Sequence, residues 1–119
     1  MNATTRRYGL IALRALLTLA FGAAGTAKLF GVPDMVAVFD AIGWGQWFRY
    51  LTGVIEVAAA ILLWVPGRQA LAAAALVVTM IGAVIAHLAI LGPSAVPALV
   101  LGLIAVTVLA AYRDQLARQ

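Results

Sequence analysis

Four long stretches of apolar residues run through the chain, separated by short segments that contain glycine, proline or charged residues. A transmembrane helix needs about 20 predominantly apolar residues. The stretches predict membrane-spanning helices at about residues 8–29, 49–65, 70–91 and 95–112. The pattern therefore predicts an all-α integral membrane protein, folded as a four-helix bundle in one domain that covers residues 1–119.

The longest connection, between the first and second stretches, predicts a short helix of its own at about residues 33–42. Pro33 and Asp34 are typical of a helix start. Apolar residues then recur at the helical spacing i, i+3, i+4 and i+7, at Met35, Val38, Phe39 and Ile42. We expect this amphipathic helix to lie in the membrane interface. An aromatic belt at the outer surface follows it, formed by Trp44, Trp47, Phe48 and Tyr50.

The composition excludes a water-soluble monomer. Hydrophobic residues make up 66% of the chain and charged residues 10%, whereas soluble domains carry about 25% charged residues. The absence of cysteine excludes disulfides, thiol redox chemistry and zinc–thiolate sites, and the single histidine excludes bis-histidine haem ligation within one chain. The sequence contains no metal-ligand spacing, phosphate loop or catalytic triad, so we expect no metal ion and no resident cofactor.

The positions of the basic residues predict the topology. The net charge is +4, but the basic residues lie beside apolar stretches, so we expect no nucleic-acid partner. A cytoplasmic N-terminus leaves Lys28 and Arg49 outside and places five basic residues inside, namely Arg6, Arg7, Arg68, Arg113 and Arg118. The positive-inside rule therefore predicts a multi-pass protein with both termini in the cytoplasm.

Ionisable residues inside membrane spans usually face the protein interior, because burying them in lipid is costly. At about 100° per residue, Lys28 shares a helix face with Arg14, and Arg49 shares one with Glu56. Lys28, Arg49 and His87 all lie toward the outer ends of their spans. We therefore expect them to meet Glu56 in the outer half of the bundle, and Arg14 to lie alone in the inner half.

Each of these residues has a functional and a structural interpretation. Glu56 is either a proton-transfer group or ligand anchor, or the partner of Lys28 or Arg49 in a salt bridge that fixes helix register. His87 is either a proton-relay partner or ligand contact, or a member of an interhelical hydrogen bond. Lys28 and Arg49 also have the option of extending to the interface. Arg14 would do the same, or pair with a carbonyl or an anionic lipid headgroup.

Small residues predict close helix packing, because helix association in lipid depends on van der Waals contact. Three of the predicted spans carry such residues along one side. These are Thr18, Gly22 and Thr26 in the first span, Ala75, Thr79, Gly82 and Ala86 in the third, and Ala98, Gly102 and Ala105 in the fourth.

Several short motifs follow one another in a recognisable order. They are Gly25-x-x-Lys28, Gly43, Arg49-Tyr50-x-x-Gly53-x-x-Glu56, and Met80-x-Gly82-Ala83 followed by His87. With these motifs, the early Arg14 and its four predicted spans, the chain resembles the DoxX/DoxX-like family of small bacterial membrane proteins over about residues 8–112. The resemblance implies a four-helix bundle in the bacterial cytoplasmic (inner) membrane, with Gly25, Lys28, Gly53 and Glu56 as characteristic positions. Named members of the family are small subunits associated with quinol or thiosulfate oxidation, and others accompany oxidative-stress proteins. A similar animal protein is an assembly chaperone for a receptor.

These observations favour an accessory subunit, or a binder of a quinone or lipid. Its site would comprise Arg14, Lys28, Arg49, Glu56 and His87. The expected partners are the lipid bilayer, another membrane protein or oxidoreductase subunits, and further copies of the chain in a homo-oligomer. Two alternatives stay open. One is a membrane enzyme with Glu56 as general acid or base and His87 as its catalytic partner. The other is an assembly chaperone or scaffold whose charges fix helix packing.

Overall fold

The computed structural model describes residues 2–92 and 94–118, apart from the side chain of Arg118. Within these residues the chain forms five α-helices and no strand, namely α1 Ala3–Phe30, α2 Pro33–Ile42, α3 Gln46–Leu62, α4 Gln69–Ala86 and α5 Val96–Ala111. A π-helical turn, His87–Leu91, continues α4, and a 3₁₀ helix, Arg113–Arg118, follows α5. The prediction of an all-α protein is confirmed.

The helix ends follow from local chemistry. The Asn2 side chain accepts a hydrogen bond from the Thr5 backbone N–H at 2.8 Å, which caps the first turn of α1. This polar cap lets α1 begin five residues before the apolar stretch that started at residue 8. Gly31 ends α1 with a φ of 69°, a left-handed conformation that glycine adopts without steric cost. Pro33 then occupies the first turn of α2, where its missing N–H has no helical partner to lose.

Within the described residues, two segments are long and apolar enough to cross a membrane by length and composition, namely α1 and the continuous stretch Gln69–Leu91. Helix α5 is also apolar but is shorter, with 16 residues.

The helices pack mainly in pairs: α1 lies against α3, α4 lies against α5, and α3 joins the two pairs through α4. Helix α2 packs against α3 and the π-helical turn. The buried core runs through all of the longer helices and includes Leu17, Phe21, Leu63, Leu76 and Val108.

Helices α1 and α3 approach each other closely at two glycines. A Cβ added to Gly25 would lie 2.9 Å from the Gly53 carbonyl oxygen, and one added to Gly53 would lie 3.0 Å from the Gly25 carbonyl oxygen. Backbone therefore meets backbone at this crossing, which only glycine permits without separating the helices.

The small-residue stripes match the packing only in part. Gly102 of α5 packs closely, since an added Cβ would lie 3.3 Å from Met80 Cβ. The stripe on α1 contacts α3 at Thr18, whose hydroxyl donates to the Ala60 carbonyl oxygen at 3.2 Å. At Gly22 and Gly82, in contrast, no described atom lies within 4 Å of an added Cβ. The prediction was wrong there, because small residues permit close approach but do not say which helix face receives it.

Candidate functional site

A cavity of about 670 Å³ lies beside the α1–α3 crossing. Its wall comes from α2, α3, α4 and the π-helical turn, together with Lys28 of α1. Most of the lining is apolar, including Phe48, Ile55 and Met80. The volume falls within the range of about 300–1,000 Å³ that is typical of small-molecule sites.

The polar centre of the wall is an ion pair between Lys28 and Glu56. Lys28 Nζ lies 2.7 Å from Glu56 Oε1, and the two side chains are 12% and 2% exposed. Each charged residue comes three positions after one of the crossing glycines, Lys28 after Gly25 and Glu56 after Gly53. Because one helical turn takes 3.6 residues, the close approach of the two backbones also brings these side chains together. The salt bridge that the structural interpretation of Glu56 requires is therefore present, and its cation is Lys28.

Arg49 contacts the backbone of Lys28, next to the ion pair. It is 5% exposed, and its Nη1 donates a hydrogen bond to the backbone carbonyl of Lys28. Its Nε donates to Gln46 Oε1 at 2.6 Å, and its guanidinium carbon lies 4.2 Å from the centroid of the Tyr50 ring. Arg49 is not among the residues that line the cavity. Its role here is to tie the end of α1 to the start of α3.

Gln46 extends this polar connection to α2. Its Nε2 donates to the Val36 carbonyl oxygen at 3.1 Å and to Asp40 Oδ1 at 2.9 Å. Since the same side chain accepts from Arg49, hydrogen bonds run from α2 through the first turn of α3 to the last turn of α1. This network of hydrogen bonds holds α2 over the cavity.

His87 lines the cavity from the first residue of the π-helical turn. Its Nδ1 atom is buried and has no hydrogen-bond partner among residues 2–92 and 94–118. In particular, no hydrogen bond joins it to Glu56 in the described part of the chain. The structure therefore brings Lys28, Glu56 and His87 to one cavity, and makes a direct bond only between the first two.

Arg14 lies in a different part of the molecule, as expected. It precedes Lys28 by 14 positions on α1, which is about 21 Å at 1.5 Å per residue. Its Nη1 donates to the Leu63 carbonyl oxygen at 3.0 Å, and its guanidinium carbon lies 4.6 Å from the Trp64 ring and 5.7 Å from the Tyr112 ring. These contacts secure the opposite end of the helix assembly and give Arg14 no contact with the cavity.

The sequence profile of the DoxX-like family matches residues 12–111. The chain belongs to the DoxX-like family. Its family and its two long apolar helices identify it as a membrane protein. The matched range contains Lys28, Glu56 and His87. No curated protein and no solved structure matches the chain.

The sequence pattern missed one wall of the site in this DoxX-like protein. A helix occupies residues 33–42 as predicted, but an interfacial helix would turn its apolar face toward lipid. In the structure that face lines the cavity, through Met35, Val38, Phe39 and Ile42. The amphipathic spacing identified the face correctly and carries no information about whether protein or lipid covers it.

Proposed function

We propose that this DoxX-like protein is a four-helix bundle in the bacterial cytoplasmic membrane, with both termini on the cytoplasmic side. Beside the two long apolar segments, α3 and α5 have 17 and 16 residues. These lengths correspond to about 26 and 24 Å, close to the roughly 30 Å of a hydrocarbon core. The excess of arginine near the ends and in the loop at Arg68 supports the orientation.

We further propose that the protein binds a lipophilic small molecule, a quinone or a lipid, as an accessory component of a membrane system. The observation that carries this proposal is the largely apolar cavity with the Lys28–Glu56 pair in its wall. Binding sites for small molecules combine apolar walls with a few placed polar groups, and this cavity has both.

The margin of the cavity supports entry from the bilayer. Val78, Ile85 and Ile90 line it and are 69%, 58% and 50% exposed. In a membrane these side chains would contact lipid tails. A hydrophobic molecule dissolved in the bilayer would therefore reach the cavity without crossing water.

Native mass spectrometry of gently extracted protein tests this proposal, with a pair of variants that differ only in position. Gly82 lines the cavity, and Gly22 lies outside it. A Cβ at either position has open space. We expect Gly82→Leu to lose a retained small molecule, because its side chain enters the cavity, and we expect Gly22→Leu to keep that molecule.

The opposite results would count against the proposal. A protein that retains no small molecule, and to which no added quinone or lipid binds, has no ligand site here. Equal retention by the Gly82→Leu and Gly22→Leu variants would place the ligand elsewhere. The same spectra report subunit number and associated proteins, which tests the proposed homo-oligomer and the accessory role.

The catalytic alternative gains no support from the geometry. A general acid or base must reach a proton on the substrate, whereas the Glu56 carboxylate is engaged by Lys28. The contact favours a Glu56 that shapes and anchors the site over one that exchanges protons.

A further inference from the structure

The polar groups of the cavity wall differ in how much hydrogen-bonding capacity they have left. Lys28 and Glu56 neutralise each other at 2.7 Å. The hydroxyls of Thr52 and Thr79 both donate to carbonyls of their own helices, to Phe48 and Ala75, at 2.8 Å. The charges of Lys28 and Glu56 and the hydroxyl donors of Thr52 and Thr79 are therefore already used within the protein.

His87 has neither an ion pair nor such a hydrogen bond in the part of the chain that the structure describes. Its buried Nδ1 has no protein partner in the described residues, although buried polar atoms are satisfied in the great majority of cases. The residue begins a π-helical turn, a rare form of helix that is frequent at functional sites. His87 itself lines the apolar cavity, so its imidazole has hydrogen-bonding capacity that a ligand with one matching polar group would use.

The charge of the wall narrows the class of ligand. A fatty acid or a phospholipid carries a charged head, and burying a charge is costly unless an opposite charge is free to pair with it. Lys28 is already paired with Glu56, and the buried Arg49 does not line the cavity. The wall as a whole is therefore electrically balanced and suits an uncharged head.

We infer that the ligand is an uncharged lipophilic molecule that carries a hydroxyl or carbonyl oxygen, and that the His87 imidazole forms a hydrogen bond with this oxygen. The inference rests on the proposed function and adds the class of ligand and the residue that selects it. His87 then determines specificity, while the apolar walls supply most of the affinity.

A chain-matched series of probes tests this inference in the full-length protein in lipid nanodiscs. Dodecanol, dodecanoic acid and dodecane share a chain length and differ in the head. Native mass spectrometry measures the bound fraction of each across a range of mole fractions in the bilayer. We expect dodecanol to bind best. We expect His87→Leu to weaken dodecanol binding by several-fold to about tenfold, the value of one hydrogen bond, and to leave dodecane binding unchanged.

A conservative variant controls for folding. His87→Asn keeps a side chain that can form a hydrogen bond at this position, so this variant should recover part of the dodecanol binding that His87→Leu loses. Removal of an unsatisfied polar atom should not destabilise the fold, so His87→Leu should melt at or above the wild-type temperature. A purely structural histidine would not separate the two probes in this way.

Three results would overturn the inference. Dodecanoic acid that binds as well as dodecanol would show that the wall accepts a charged head. Equal binding of dodecanol and dodecane, or equal loss of both in His87→Leu, would show that His87 selects nothing; if Gly82→Leu still abolishes binding, the proposed function survives that failure. Absence of binding by every probe, quinones and lipids included, would overturn both proposals together.

Discussion

Replacing Glu56 by glutamine removes the negative charge that lies 2.7 Å from Lys28 Nζ and keeps the size of the side chain. Lys28 then has a buried charge without its counter-ion. Breaking a buried ion pair in this way costs about 3–5 kcal/mol. Because the Lys28 side chain keeps 12% of its exposure, some charge stays solvated, and we expect a loss near the lower end, about 3 kcal/mol.

Unfolding in mixed micelles of mild and denaturing detergent, followed by circular dichroism, measures this loss. The expected change corresponds to more than about a hundredfold in the unfolding equilibrium constant. Asp114→Asn is the matched control, since it makes the same carboxylate-to-amide change at an exposed residue outside the hydrogen-bond network around the pair. A surface change of this kind usually stays within about 0.5 kcal/mol.

The double variant Lys28→Met/Glu56→Leu separates the penalty for an unpaired charge from the value of the pair itself. Replacing a whole buried pair by apolar residues is often neutral, or stabilising by about 1–4 kcal/mol. We therefore expect the double variant to recover the stability that Glu56→Gln loses. A Glu56→Gln loss no larger than that of Asp114→Asn would refute the reasoning, and so would a double variant less stable than the single one.

Two further substitutions test how the helices that hold the pair are connected. Gly25→Ala places a Cβ 2.9 Å from the Gly53 carbonyl oxygen and should destabilise the fold by about 1–3 kcal/mol, whereas Gly22→Ala should be neutral or slightly stabilising in the same micelle assay. Arg49→Lys keeps the charge but loses the planar guanidinium that bonds α1 and Gln46 together, so its melting temperature by intrinsic fluorescence should fall, and an unchanged value would show that charge alone suffices.

The ion pair could be predicted from the sequence, as one of the two interpretations of Glu56, because two simple rules apply there. Helical periodicity placed Glu56 and Arg49 on one helix face, and residue counting placed both of them and Lys28 in the outer half of the bundle. The choice of Lys28 over Arg49 as partner was not accessible. It depends on the Gly25–Gly53 crossing and on the hydrogen bonds that engage Arg49, which are tertiary contacts.

The cavity could not be predicted for a different reason. A void is space that side chains leave unfilled, and no residue encodes it. The exposed Gly82 and the apolar face of α2 both border this space, yet the sequence pattern assigned the first to helix packing and the second to the membrane interface. The unpartnered Nδ1 of His87 is equally a property of its surroundings.

The Lys28–Glu56 pair also bears on how the chain enters the bilayer. In the proposed topology, Glu56 lies well inside the span formed by α3, and an isolated ionised residue at the centre of a span costs about 2.5–3.5 kcal/mol on insertion scales. Lys28, near the outer end of α1, supplies the opposite charge and makes the pair neutral. Insertion of α1 and α3 as an associated pair therefore avoids the cost of placing an unpaired ionised Glu56 in the membrane.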